Sequence, residues 1–144
     1  MTATEKTDFN PNTYFEHLRE VVPEDIDELG HVNNANYLRF VEACGRAHSD
    51  GLGLTLEVFK DYGVVPVIRK HEITYHRPAK LGDTLLLSTQ VAKIGGPRAV
   101  RHNKVRLAED KTLLVDVLTE WVWLDVASGR PKRVPRGVLE AFGF

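Results

Sequence analysis

A single change of hydrophobic period constrains this chain more than any other feature. Tyr37, Phe40, Val41, Cys44 and Ala47 recur at spacings of three and four, with Arg39, Glu42 and Arg46 largely between them. That is the apolar stripe of one amphipathic helix. From Val64 onward the period becomes two. Val65, Val67, Arg69, His71, Ile73 and Tyr75 alternate with Val64, Pro66, Ile68, Lys70, Glu72 and Thr74 in a mixed, β-rich run whose faces the pattern does not separate. Leu85, Leu87, Thr89 and Val91 mark the next strand, residues 100–107 return the chain, and Leu113, Val115, Val117, Thr119, Trp121 and Trp123 alternate along the last. Short turn sequences join them: Pro78 to Gly82, Gly95-Gly96-Pro97 and Glu109-Asp110-Lys111. An earlier extended segment over 14–22 ends at Pro23. One long helix covers one face of such an antiparallel sheet, giving an α+β layer of five or so strands. The sheet's edges still need protection, and self-association supplies it.

The chain's 144 residues suit one domain, expected over 14–144, behind a loose polar tail over 1–13. Nineteen Lys and Arg against twenty Asp and Glu leave a net charge of −1, so no global field draws the protein to nucleic acid or an anionic membrane. No apolar run approaches the length of a membrane span or a signal peptide, and a cytoplasmic protein is expected. One cysteine, Cys44, excludes an intrachain disulfide and a multi-cysteine zinc site. Its place in the helix stripe suits a small buried hydrophobe. The six histidines show no metal-ligand spacing, so no metal is expected.

Between Pro23 and the helix lies an acidic, Gly- and Asn-rich loop. Asn33 and Asn34 suit the helix N-cap, because a short amide side chain accepts from the free N–H groups of the first turn. Gly51 and Gly53 supply the stop.

Asp27-Glu28-Leu29-Gly30-His31-Val32-Asn33-Asn34-Ala35-Asn36-Tyr37 closely resembles the signature of hotdog-fold acyl-CoA thioesterases of the 4-hydroxybenzoyl-CoA thioesterase type. The family pattern is Asp, two variable residues, Gly-His-Val-Asn-Asn, two variable residues and Tyr, and every fixed position is met. Residues Tyr75 to Asp83, an aromatic followed by a small residue and Gly-Asp, resemble the second landmark. Ser128-Gly129-Arg130-Pro131 with Val134-Pro135 resembles the C-terminal one. The resemblance implies a long helix wrapped by a curved antiparallel sheet, subunits joined through their sheets as a homodimer or tetramer, and active sites at the subunit interface. It implies an acyl-CoA substrate and no cofactor.

Thioester hydrolysis needs few parts. A thiol of ordinary pKa near 8.5 leaves as thiolate with little help, so the reaction asks for a base or nucleophile at the carbonyl and donors for the oxyanion. By the resemblance Asp27 is the carboxylate, either attacking the carbonyl or activating water; its neighbours Glu24, Asp25 and Glu28 read as solvated loop acids. The oxyanion donors are expected among the backbone N–H groups opening the helix, around Asn34 and Ala35. Gly30 permits a positive φ or a close approach to substrate. His31 orients Asp27, touches the thioester or packs the loop. Asn33 is foremost a cap, and Tyr37 lies on the core stripe although it also stands near substrate in the motif. Lys93, Arg98 and Arg101 flank the Gly95-Gly96-Pro97 turn and suit coenzyme A phosphates; Arg130, Lys132, Arg133 and Arg136 form a second basic cluster. Phe40, Val41, Val65 and Ile68 are expected to line the acyl pocket.

Two other readings share the fold. In one branch of hotdog hydratases and dehydratases four residues separate Asp from His, and another pairs His with a distant Glu; here three residues separate Asp27 from His31. A non-catalytic acyl-CoA or acyl-carrier binding module is the other, and an intact Asp27 speaks against it.

Overall fold

A computed structural model describes residues 12–144 of the chain. In order they form β1 (Tyr14–Glu20), a 3-10 turn (Pro23–Asp25), α1 (Asn34–Gly51), α2 (Leu56–Asp61), β2 (Val64–Tyr75), β3 (Thr84–Gly95), β4 (Arg98–Leu107), β5 (Leu113–Asp125) and α3 (Arg136–Ala141). The strands make one antiparallel sheet in the order β1-β3-β4-β5-β2. The alternating strands and the helix stripe fall as the periodicity requires. The two short helices α2 and α3, six residues each, carry too few turns to show a period.

The helix stripe meets the sheet directly. Tyr37, Phe40, Val41 and Cys44 pack with Leu85, Leu87, Val105, Val115 and Val117 of the three central strands. A second cluster gathers Phe59 of α2, Val138 of α3, Val64, Val91, Ala99 and Trp123 around the C-terminal end of α1. Burial pushes the Cys44 thiol up to about 12, so it remains protonated and packs as a hydrophobe.

The register of β2 explains its mixed pattern. It pairs with β5 as Val64↔Asp125 through Ile68↔Trp121, then slips at Arg69 and resumes at Lys70↔Glu120. An extra residue reverses which side each following residue faces. Val64, Pro66 and Ile68 therefore share the inner face with His71, Ile73 and Tyr75. Val65 falls on the other face from Ile68, so the two cannot line one pocket. β2 closes one end of the sheet order, and no described strand pairs with its outer edge.

The tail expected over 1–13 lies mostly outside the described residues. Its last two members are tied down. The Asn12 carbonyl accepts from His48 Nε2 at 2.9 Å, and the buried Thr13 accepts from Val91 N–H at 2.8 Å. Backbone pairing with the sheet edge thus begins before β1.

Tyr37 fastens the helix to the loop before β3. It is buried, and its Oη accepts from Ala79 N–H at 3.0 Å. Burial pushes its hydroxyl pKa up, so it stays protonated. Tyr37→Phe strands that buried amide. A loss of about 1–3 kcal/mol is expected by denaturant unfolding, the scale for an unsatisfied buried donor.

Candidate active site

The loop before α1 is a small antiparallel hairpin. Asn33 N–H donates to Asp25 O at 2.8 Å, Ile26 bridges Val32, and Asp27 N–H donates to His31 O at 2.8 Å. The chain reverses at Gly30, whose φ of +78° favours glycine; nothing lies within 4 Å of where a Cβ would stand. Gly30 therefore serves the turn, and no protein atom crowds its open side. The hairpin sets Asp27 opposite His31, three residues before the helix opens at Asn34.

Asp27 is half-buried, and its Oδ1 accepts from Leu29 N–H at 2.9 Å and, at 3.5 Å, from His31 N–H. His31 thus holds the carboxylate by its backbone. Among the described residues no hydrogen bond joins its ring to Asp27. Its backbone also bridges Lys80, tying the hairpin to the loop before β3.

Asp25, read from the sequence as a solvated acid, is only 6% exposed. Its carboxylate accepts from Arg19 Nη2 at 3.0 and 3.1 Å and from Val22 N–H at 3.0 Å. Its carbonyl takes Asn33 N–H and, at 3.3 Å, Asn36 Nδ2. Asp25 therefore pins the helix entry, because the 3-10 turn directs its side chain back under β1.

The first turn of α1 has one amide left over. Asn33 Oδ1 accepts from Ala35 N–H at 2.9 Å, and Asn33 O accepts from Asn36 N–H at 2.9 Å. Ala35 is thereby removed from the expected oxyanion donors. Asn34 N–H has no acceptor among the described residues, at the positive end of the helix dipole. Tyr75 Oη donates to Asn34 O at 3.1 Å and brings the C-terminal end of β2 against this point. Asn33→Ala is expected to lower stability by about 0.5–2 kcal/mol, the range for losing an N-cap, as read by thermal unfolding.

The remaining site residues separate. Tyr37 belongs to the core. Val65 is half-buried at the start of β2, facing away from the helix. Arg98 is exposed and donates to Glu120 Oε1 at 3.0 Å, an acceptor it shares with Arg69 at 2.8 Å. Arg101 differs from Arg98 altogether: it is 6% exposed, beneath the helix. Its Nη1 bonds His48 Nδ1 at 3.0 Å and Thr89 Oγ1 at 3.1 Å, and its Nη2 bonds Ser49 Oγ at 3.1 Å. Burial lowers its pKa to about 10, which still leaves it charged at neutral pH. Strand parity carries the missed signal, since Arg101 shares its face with Ala99, Asn103 and Val105, all buried.

A second polar line crosses the same interface. Asn103 Nδ2 donates to Thr119 Oγ1 at 3.0 Å, Thr119 Oγ1 meets His71 Nδ1 at 2.9 Å, and His71 Nε2 lies 3.4 Å from Glu42 Oε2. It runs from the sheet interior to the surface of α1 beside β2. Among the described residues no three His, Cys, Asp or Glu side chains cluster to hold a metal. No helix of the described residues is long and apolar enough to cross a membrane.

A long helix lying on a five-stranded antiparallel sheet of this order is the hotdog fold. The chain belongs to the thioesterase-like superfamily, whose model matches residues 21–142. It is 29% identical over 133 residues to the acyl-CoA thioester hydrolase YbgC of Escherichia coli O6:H1, covering 90% of this chain and 96% of that one. It is also 29% identical over 103 residues to the long-chain acyl-CoA thioesterase FadM of Escherichia coli K12, covering 70% and 76%. A solved 1,4-dihydroxy-2-naphthoyl-CoA thioesterase from Synechocystis superposes with a TM-score of 0.82 at 21% identity, over 90% of this chain and 95% of that one.

Proposed function

We propose that this chain is an acyl-CoA thioesterase, releasing a free carboxylic acid and coenzyme A, with Asp27 as the reacting carboxylate and Asn34 N–H as the oxyanion donor. The observation that carries the assignment is the unspent Asn34 amide at the mouth of α1, with Asp27 on the hairpin that leads into it. A backbone donor held by the helix needs no rearrangement as charge develops on the carbonyl oxygen. Asp27 either attacks the carbonyl carbon or takes a proton from water; both displace the thiolate. The YbgC and FadM relatives, named for acyl-CoA thioesters, support the substrate class.

The working unit is a homodimer joined along β2, or a tetramer made of two such dimers. The free outer edge of a twelve-residue strand offers a row of backbone donors and acceptors that a second copy satisfies. Antiparallel pairing about a two-fold sets the Tyr75 end of one β2 beside the Val64 end of the other. Each Asp27 site then faces the far end of the neighbouring helix–sheet interface. Light scattering is expected to report a dimer or tetramer; an active monomer would contradict the shared site. The buried, unpaired Cys44 is in keeping with a reducing cytoplasm.

Thiol release from a panel of acyl-CoAs, followed with a chromogenic thiol reagent, tests the activity. Hydrolysis of at least one acyl-CoA is expected. Binding without turnover would instead make the chain a non-catalytic acyl-CoA module. Arg98 is assigned to the coenzyme's phosphates, exchanging Glu120 for a phosphate oxygen. Arg98→Ala is expected to raise KM about three- to tenfold with kcat little changed, the scale of one ordinary net hydrogen bond at an exposed site.

A further inference from the structure

The helix–sheet interface holds a cavity of about 90 Å³ beneath the C-terminal half of α1. At about 1.5 Å per helical residue, Gly45 on its rim lies roughly 16 Å along the axis from Asn34. Phe59, Val91, Ala99, Trp121, Trp123 and Phe142 are among the residues of its wall, and Arg101 is the one buried charge in it.

The chemistry of that wall is lopsided. A guanidinium has five N–H groups, and the bonds to His48, Thr89 and Ser49 use three of them. Each of those partners is neutral: the histidine accepts through Nδ1, and the other two are hydroxyls. No carboxylate pairs with Arg101 among the described residues. The buried indole Nε1 atoms of Trp121 and Trp123 also lack partners. The unsatisfied buried side-chain atoms of the lining are therefore donors, and the only full charge buried there is positive. An interior arginine of this kind ordinarily faces an anion. Apart from Ser49 and the exposed Arg46, the rest of the lining is apolar, which suits a hydrocarbon.

We propose that this cavity binds the carboxylate end of an apolar chain, gripped by Arg101, and that it selects acyl thioesters whose far end is ionised. The second clause rests on the thioesterase reading and on the β2 dimer, which sets the cavity of one copy beside the Asp27 site of the other. At about 30 Å³ for each water-sized group the space holds about three of them, so the carboxylate and the methylene groups next to it fill it and the rest of the chain leaves through its open mouth. The carboxylate comes either from the distal end of a dicarboxylic acyl thioester or from a free fatty acid.

Both tryptophans of the chain line the cavity, so intrinsic fluorescence reports its occupancy without any thioester. The full-length protein is titrated at pH 8 with hexanoate and with hexan-1-ol. Hexanoate is expected to shift the emission and to bind at least about tenfold more tightly than the alcohol, with the preference lost in Arg101→Gln. Equal binding of the two, or a preference kept in Arg101→Gln, overturns the proposal. Should Arg101→Gln fail to fold, Ala99→Leu fills the cavity and leaves the arginine's partners in place; it must abolish the hexanoate response, and an unchanged response overturns the site. Thiol release then separates the two carboxylate sources. A kcat/KM at least about tenfold higher for hexanedioyl-CoA than for hexanoyl-CoA, lost in Ala99→Leu, supports a distal carboxylate on the substrate. Equal rates beside intact hexanoate binding assign the cavity to the free acid and overturn the substrate clause. A protein that holds hexanoate through Arg101 yet hydrolyses no acyl-CoA upholds the cavity and sinks the thioesterase reading.

Discussion

Asp27→Asn is expected to lower acyl-CoA hydrolysis at least about a hundredfold while leaving the fold intact, the scale of removing a positioned acid–base group. The substitution separates chemistry from structure because of what Asp27 Oδ1 does in the hairpin. It accepts from Leu29 N–H at 2.9 Å. An asparagine Oδ1 accepts the same bond, so the turn through Gly30 survives and the thermal midpoint should hardly move. The lost function is the charge, which both a nucleophile and a general base require. Thiol release at saturating acyl-CoA measures it. A kcat within a few-fold of the unmodified enzyme would remove Asp27 from the mechanism, whatever the melting curve showed. Trapping distinguishes the two roles of the carboxylate. An anhydride intermediate yields an acylated Asp27 that hydroxylamine intercepts, whereas a general base yields none.

The second large effect concerns acid stability. His48 is 2% exposed, between the rings of Phe15 and Phe142. Its Nε2–H donates to Asn12 O at 2.9 Å, and its Nδ1 accepts from Arg101 at 3.0 Å. These two bonds require the neutral ring. Burial first, and then the Arg101 charge, push its pKa down to about 4. The unfolded chain, near the ordinary 6.5, binds the proton more readily than the folded one. Stability from this group is therefore complete above about pH 6.5 and is lost as pH falls toward 4. The full difference amounts to at most about 3 kcal/mol at ~1.4 kcal/mol per pKa step. Denaturant unfolding from pH 7 to 4 should show that decline, and His48→Gln should flatten it. An unfolding free energy independent of pH across the window would show that the ring protonates without disturbing Arg101. The charge opposite it is what makes the switch costly, because an imidazolium would turn a second donor toward the guanidinium.

The parts of the site that were legible beforehand are contiguous in the chain. The Gly30 turn and the Asn33 cap act on neighbours a few residues away, so their residue types carry the geometry, whereas Asp27 stands out from the neighbouring acids only through the resemblance of its loop to the thioesterase signature. The helix stripe and the strand alternation were readable for the same reason, each being a period repeated over many residues. Other features were not. The Arg69 bulge reverses the inner face of β2, and no residue type announces that reversal. Asp25 looked like any acid of a solvated loop until the 3-10 turn directed it at Arg19. Arg101 looked like a partner of Arg98, three residues away and close to the same turn, yet one pairs with an exposed glutamate and the other lies under α1.

Local spacing was enough to establish one helix, an antiparallel sheet and a carboxylate placed just before a helix entry. It could do so because hydrogen bonds within a turn and periods along an element depend on residues adjacent in the chain. Which charges lie in water and which lie inside was settled only when β3, β4, β5 and the end of α1 came together around Arg101. Burial is a property of everything that closes over a side chain, and those segments meet from positions as far apart as Ser49 and Phe142.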